Sequence, residues 1–309
     1  MDSAHVSTLA GARTFMGIAS KLPWQVKLLA KLMLARLPIP YGFWRSMGLF
    51  RHGEMNQPQR AVDTFHRYFE RASHYVPLSP GFTSLELGPG DSILSGCVAK
   101  AYGAGQSWLV DAGHFATTDV AACKETVRLL QALGKSSPDI ATATNLAEIM
   151  AAANIHYLTE GTVSLQHIPD ASVDFIWSQV VLEHVPKAEF LLLMKELRRI
   201  IKPHGIAIHS VDFRDHLSGG LNNLRFASRI WESHYFQHSG FYTNRLRPNE
   251  MLAMFRVAGF SVDVIHEMRW QEMPIQRHAL AREFQHLPDD ALMVAEIEVV
   301  LKPNRPHET

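Results

Sequence analysis

The sequence holds only two cysteines, no apolar run long enough to cross a bilayer, and no net charge over its 309 residues. Each absence excludes something. Cys97 and Cys123 fall inside predicted helices, far from any metal-ligand spacing. That removes a disulfide framework and a cysteine metal centre, and fits reduced thiols in a cytoplasmic protein. A membrane-spanning helix needs about 20 apolar residues, and none is present. A neutral balance argues against a dedicated nucleic-acid binder. Acids are scarce in one region: from residue 1 to residue 53 only Asp2 opposes Arg13, Lys21, Lys27, Lys31, Arg36, Arg45 and Arg51.

Within that basic stretch, Trp24 to Leu37 reads as an amphipathic helix. Lys27 and Lys31 share one face, and Leu28, Leu29, Leu32 and Met33 fill much of the rest. Such a helix suits weak peripheral contact with an anionic membrane through about residues 21–37. The competing reading packs it on the following domain with its lysines in water. A transit peptide is disfavoured, because Pro38, Pro40 and the run Tyr41-Gly42-Phe43-Trp44 look like structured chain.

A second helix is expected over Gln59 to Ser73, where Val62, Phe65, Tyr68 and Phe69 are spaced to share a face. Pro77, Pro80 and Gly81 then mark a boundary, dividing residues 1–78, an N-terminal helical segment, from residues 79–309. Beyond it, strands and helices alternate. Strands are expected at Phe82–Leu87, Gln106–Asp111, within Ile155–Leu158 and Val163–His167, and at Val173–Ser178, Ile206–Phe213, Ser261–Met268 and Ala291–Leu301. Helices are expected at Ile93–Tyr102, Thr118–Leu133, Leu146–Ala153, Glu189–Ile201 (stopped by Pro203 and Gly205) and Pro248–Val257 (capped by Gly259). Seven strands alternating with helices predict an α/β fold: a Rossmann-like, doubly wound, mostly parallel seven-stranded sheet, with a helical insertion at about 214–247 after strand five. Ligands bind such sheets beyond the carboxyl ends of the strands.

The most informative stretch is Ser84-Leu85-Glu86-Leu87-Gly88-Pro89-Gly90-Asp91-Ser92. Glycines at a strand-to-helix turn let a ligand approach bare backbone. A dinucleotide loop meets an anionic pyrophosphate at the helix N-terminus, and Glu86 would repel it. Ile93 is also too bulky for the last position of a nicotinamide fingerprint. A carboxylate here suits a ligand with an amine and a sulfonium, and S-adenosylmethionine is one. Asp111, a little over twenty residues later, is placed to accept hydrogen bonds from ribose hydroxyls.

Three further blocks complete the pattern: Asp111, residues 170–185 (DASVDFIWSQVVLEHV) and residues 196–205 (ELRRIIKPHG). With the glycine loop they resemble class I S-adenosylmethionine-dependent methyltransferases, in particular the type 11 branch that acts on small molecules. The resemblance covers roughly residues 82–265. It implies that Glu86, Gly88 and Gly90, with Pro89 between them, hold the methionine end of the cofactor. It likewise implies that Asp111 and the adjoining Ala112 hold the ribose, and that Ser178 and Gln179 pass beside the transferring methyl. The third small position of the loop is Ser92, and the adenine segment has only Thr159, Glu160 and Gly161 as candidates.

A general base is needed if the acceptor is a weakly acidic hydroxyl. Two places can supply it. His184 follows strand four, where the alternative is a Glu-His pair that shapes the loop. The second is Asp212-Phe213-Arg214-Asp215-His216 at the end of strand five, with Asn222 and Asn223 beyond. His216, Asp212 and His184 are therefore the catalytic candidates. A divalent metal at the second place is the weaker option, since the spacing matches no dedicated ligand pattern, and no metal ligand is assigned. Trp231, Tyr235, Phe236, Phe241 and Tyr242 are expected mostly to form a small cap, and Arg225, Arg229, Arg245 and Arg247 to meet an acceptor's anionic group or to lie in water. The expected activity is methylation, first of an oxygen, of a small-molecule acceptor such as a sugar, free or carrier-linked. The alternatives are a non-catalytic adenosyl-binding scaffold or partner subunit, aminopropyl transfer and a nicotinamide oxidoreductase.

Overall fold

The structure, a computed structural model, describes residues 23–34 and 55–304. The run Tyr41 to Trp44 and the end of the expected basic helix lie outside the described residues. The elements are α1 (Trp24–Leu34), α2 (Pro58–Tyr75), β1 (Thr83–Leu87), α3 (Leu94–Ala101), β2 (Gln106–Val110), α4 (Val120–Ala132), α5 (Leu146–Ala153), β3 (Ile155–Leu158), β4 (Val173–Gln179), α6 (Lys187–Ile200) and β5 (Ile201–Asp212). They continue with α7 (Ser228–Trp231), α8 (His234–Gln237), α9 (Pro248–Val257), β6 (Phe260–Arg269), α10 (Asp289–Met293) and β7 (Val294–Pro303).

The seven strands form one sheet in the order β3-β2-β1-β4-β5-β7-β6. The first five are parallel, and β7 runs antiparallel between β5 and β6. Alternation along the strands sends side chains to opposite faces. On one face Phe175, Trp177, Ile206 and Ile208 meet Phe65 and Tyr68 of α2, Leu94 and Val98 of α3, and Leu130 of α4. On the other, Leu85, Ile176 and Ala207 meet Phe190, Leu193 and Leu197 of α6 and Met251 and Phe255 of α9. Both faces of the sheet are thus covered.

α2 starts with Pro58 in its first turn, where the missing N–H has no helical partner to lose. It buries Ala61, Val62, Phe65, Tyr68 and Ala72, a stripe at helical spacing. Its polar edge crosses the carboxyl ends of the strands. Arg67 donates to Gln179 (3.2 Å), the Tyr68 hydroxyl donates to Ser210 Oγ (2.8 Å), and Arg71 pairs with Glu298. α1 packs through Trp24, Leu28 and Leu32 on the insertion, against Leu217, Phe226, Trp231, Phe241 and Tyr242. Its packing follows the second sequence reading, with one correction: Lys31 is not in water, for its ammonium donates to the His216 carbonyl (3.0 Å). Val26, Leu29 and Met33 remain exposed. No helix of the described residues is long and apolar enough to cross a membrane.

Three expectations need correction. The third strand is Ile155–Leu158 alone; residues 161–167 form a 3-10 helix. Arg199 of α6 holds that segment by donating to the carbonyls of Leu165 (2.8 Å) and Ile168 (2.9 Å), which removes them from a ladder. α6 ends at Ile200, ahead of Pro203, and Lys202–Gly205 bulge out of β5, which pairs with β4 at Ile201 and resumes at Ile206. Finally, the last strand begins at Val294, preceded by the short helix α10.

Candidate active site

The turn after β1 has Gly88 at φ +66° and Gly90 at φ +65°, in the left-handed region that favours glycine. The Gly88 N–H donates to the Val110 carbonyl (2.8 Å), tying the turn to the end of β2. Asp111 sits beside it. One carboxylate oxygen accepts from the Gly90 N–H (2.9 Å), the other from the Ala112 N–H (2.7 Å), and its carbonyl accepts from the Gly161 N–H (2.8 Å). The expected ribose acid and the segment 159–161 are therefore neighbours at one sheet edge. Pro89 and Gly90 are buried. Ser92 accepts from the Leu94 N–H and from Thr118, which fixes the start of α3.

Glu86 points from β1 toward α3, is 4 % exposed, and accepts from the Ser95 hydroxyl. Burial drives its pKa up to about 8, the Ser95 hydrogen bond opposes the rise, and the Asp111 charge adds to it. Asp111 itself is raised to about 6 by burial, against the lowering effect of the Gly90 and Ala112 amides. Two acids with raised pKa thus flank the turn. Ile93 does not take the close-packing role of a third glycine; Gly96 does. A Cβ there would come within 2.7 Å of Ile155 on β3. The helical context hid that glycine from sequence reading.

The second cluster stands at the carboxyl ends of β4 and β5. Ser178 is buried inside the sheet with its hydroxyl 2.7 Å from His209 Nδ1, so only its backbone is left to face a ligand. Burial holds His209 neutral, with a pKa lowered to about 3. Gln179 is engaged by Arg67. Val180 follows at φ +56°, a strained conformation for a β-branched residue. Val181 packs on the glycine turn: its Cγ2 lies 2.5 Å from where a Gly88 Cβ would be. That contact joins the two clusters.

Next along the chain, Glu183 is 2 % exposed, and neither carboxylate oxygen has a hydrogen bond of ordinary geometry. Burial raises its pKa well above the carboxylate range, opposed by the amides of Glu183 and Asp212 and reinforced by the Asp212 charge. His184 Nδ1 lies 2.9 Å from the Tyr242 carbonyl. A carbonyl only accepts, so Nδ1 carries the proton and Nε2 the lone pair. The His184 ring stacks on His216 with centroids 4.8 Å apart and planes 14° apart. His216 Nε2 is buried without a hydrogen-bond partner, and burial lowers the His216 pKa. The two expected histidines are thus brought together from segments far apart in sequence, and Glu183, read only as the partner of a structural Glu-His pair, joins them.

The other polar residues of strand five's end do different things. Asp212 Oδ1 accepts from both the backbone N–H and the Nε of Arg214 (2.8 Å each), and Arg214 also reaches Glu296 (3.2 Å). Asp215 accepts from the amides of Leu217, Ser218 and Asn222 and from the Asn222 side chain, so it ties the loop. Arg245 and Arg247 are neither solvated nor open to an acceptor. Arg247 donates to the carbonyls of Phe213, Ala291 and Val294, and burial lowers its pKa to about 9. Arg245, at φ +59°, donates to the Phe226 carbonyl and Ser228 and pairs with Glu232. Trp231 and Phe241 form the expected core of the cap, while Tyr235 is exposed.

A family model described as a methyltransferase domain matches residues 85–209, the span from β1 into β5 that holds the glycine turn, Asp111, Ser178, Glu183 and His184 and stops short of Asp212 and His216. Residues 85–209, less than half of the chain, thus match a methyltransferase domain. No curated protein matches the chain. Among solved structures it is similar to YcgJ from Bacillus subtilis (15 % identity, 78 % of this chain and 99 % of that one, TM-score 0.44). It is also similar to the methyltransferase in complex with the Trm112 activator of Haloferax volcanii (18 %, 82 % and 95 %, 0.41). A third is phosphoethanolamine N-methyltransferase 2 of Haemonchus contortus (14 %, 78 % and 53 %, 0.43). Similarity at this level leaves both the activity and the acceptor to be argued from the chain's own residues.

Proposed function

We propose that this chain is an S-adenosylmethionine-dependent methyltransferase that transfers the methyl group to a hydroxyl oxygen of a small-molecule acceptor, a sugar, free or carrier-linked, being the class we favour. One observation carries the reading: Glu183, His184 and His216 converge beside Val181, which rests on the glycine turn. A proton-accepting group is superfluous for an acceptor that is already a free amine or thiolate, but a hydroxyl needs one. In this reading Glu86, Gly88, Pro89, Gly90, Asp111 and Ala112 hold the cofactor, with the backbone of Ser178 and the side chain of Gln179 near the methyl. The acceptor oxygen attacks the methyl carbon in line with its bond to sulfur. The new C–O bond forms as the C–S bond breaks, its electron pair passes to sulfur, and the hydroxyl proton leaves at the His184–His216 pair. Asp212 acts as a positioning residue through Arg214.

In this proposal the described part of residues 1–78 serves the domain at 79–309 as a docked segment, α1 packing on the insertion and α2 across one face of the sheet. The exposed Val26, Leu29 and Met33 support weak membrane contact as a further part of it. Retention on anionic vesicles at low salt tests that part, and free passage through them removes it. The central test is label transfer. With labelled cofactor and a set of hydroxyl, amine and thiol acceptors, label should enter hydroxyl compounds, and His216→Ala should lose transfer while keeping S-adenosylhomocysteine binding. Transfer only to amines or thiols would overturn the proposal. Tight cofactor binding with no transfer to any acceptor would favour a scaffold subunit.

A further inference from the structure

We propose that Glu183, His184 and His216 form a binding site for one divalent transition-metal ion of the zinc, cobalt or manganese class. One ligand atom from each residue lies within 4.8 Å of the other two. Ligand atoms sharing one ion at about 2.0–2.2 Å stand roughly 3–4 Å apart, so small side-chain rotations close the set. The chemistry of the three groups is what selects a cation. Glu183 presents two oxygens, buried and outside any hydrogen bond of ordinary geometry. A carboxylate placed so can only be neutralised or met by a positive charge. His216 brings a buried Nε2 with no hydrogen-bond partner.

His184 supplies the third feature. Its Nδ1–H is held by the Tyr242 carbonyl at 2.9 Å, which orients the ring and sets Nε2 as the donor atom. Metal-bound imidazoles are held in this way, the second nitrogen donating to a carbonyl or carboxylate. Tyr242 is itself fixed, its hydroxyl donating to Glu232 at 2.6 Å. The stacking of the two rings keeps them side by side. Two imidazoles and one carboxylate suit zinc, cobalt and manganese rather than magnesium or calcium, which favour all-oxygen sets. Three protein ligands leave positions open, and His184 lies on the exposed side of the cluster.

The consequence for catalysis rests on the proposed hydroxyl acceptor. An ion here would take the acceptor's oxygen in an open position and acidify its proton, taking over the role assigned above to the bare imidazoles. The binding site itself does not depend on that reading.

The test uses the full chain, stripped with a chelator and dialysed. Co²⁺ is titrated while its visible absorption is recorded, and Zn²⁺ is titrated by calorimetry. One equivalent should bind tightly, with the Co²⁺ bands of a nitrogen- and oxygen-ligated site. Glu183→Gln and His216→Ala should each weaken that binding by on the order of tenfold or more. His278→Ala, at an exposed histidine away from the cluster, should not. Binding of S-adenosylhomocysteine by each variant verifies its fold. If the stripped protein takes up no ion, or if the cluster variants bind as the parent does, the site is a water-filled pocket and the proposal fails. If the ion binds and depends on the cluster, but hydroxyl compounds accept no methyl, the metal site stands and the acceptor reading falls.

Discussion

Glu86 offers the sharpest test of the cofactor site. Its carboxyl is fully buried, with a pKa raised from 4.5 to about 8. Between those values the native state keeps a proton that the unfolded chain has lost. Stability therefore falls as pH rises through that window, at about 1.4 kcal/mol per pH unit, and the loss totals about 5 kcal/mol once pH passes 8. Glu86→Gln removes the ionisable group and keeps an oxygen for the Ser95 hydroxyl. At pH 5 the variant should melt close to the parent. At pH 8 it should melt higher, by on the order of 10 °C, since 1 kcal/mol corresponds to about 2–4 °C in a chain of this size.

Cofactor binding should move in the opposite sense. In the proposed site the ammonium group of S-adenosylhomocysteine would select the ionised carboxylate, so binding to the parent would expel the proton. Affinity should fall about tenfold for each pH unit below 8, and Glu86→Gln should be weaker at pH 8 and free of that slope. Calorimetry in two buffers of different ionisation enthalpy would read the released proton directly. If the variant melts like the parent at both pH values, the acid is not a buried, protonated group. If the parent's affinity is flat from pH 6 to 8, the carboxylate does not meet the ammonium.

Other perturbations read other parts of the site and its frame. Gly88→Ala forces a Cβ at φ +66° into Val181, and should cost about 1–2 kcal/mol in backbone strain alone and weaken S-adenosylhomocysteine binding, checked by urea unfolding and calorimetry. Arg247→Ala strips the carbonyls of Phe213, Ala291 and Val294 of a buried charged donor; a loss of about 3 kcal/mol or more is expected in urea unfolding. Tyr68→Phe deletes only the hydrogen bond to Ser210 and should cost about 1 kcal/mol by the same measurement, with cofactor affinity unchanged. Asp111 is raised to about 6, so Asp111→Asn should weaken cofactor binding at pH 8 and approach the parent's affinity near pH 5, where the parent's carboxylate is protonated.

Much of the sheet was legible because local signals agreed with the tertiary answer. Glycines bracketing the turn, the apolar strand Val173–Gln179 and the stop after α6 all act over a few residues. The segment 161–167 was misread for the opposite reason. Val163 and Leu165 alternate like a strand, but the guanidinium of Arg199, arriving from α6, takes the carbonyls of Leu165 and Ile168. Arg245 and Arg247 were misread because charge normally implies solvent. Nothing local tells an arginine that five backbone carbonyls will be waiting around the pair. At the site, His184 and His216 were each visible as candidates. Their stacking was not, since it depends on β4 and β5 lying side by side, and the part played by Glu183 follows only from that contact.

The way the fold treats its buried acids separates structure from function. Asp215 is buried and accepts four hydrogen bonds. Glu298 is buried and has Arg71. Each of those acids has a partner, Asp215 through hydrogen bonds and Glu298 through its ion pair with Arg71. Glu86 has one hydroxyl, and Glu183 has no hydrogen bond of ordinary geometry. The difference is one of position rather than of residue type. Glu86 flanks the glycine turn, and Glu183 follows Val181, the residue that rests on that turn. A chain able to satisfy the first pair could have used glutamine or an apolar residue at the second. Two under-satisfied acids, one on each side of the Gly88–Val181 contact, are therefore best explained by positive charge that arrives from outside: an ammonium and sulfonium at Glu86, and a cation at Glu183.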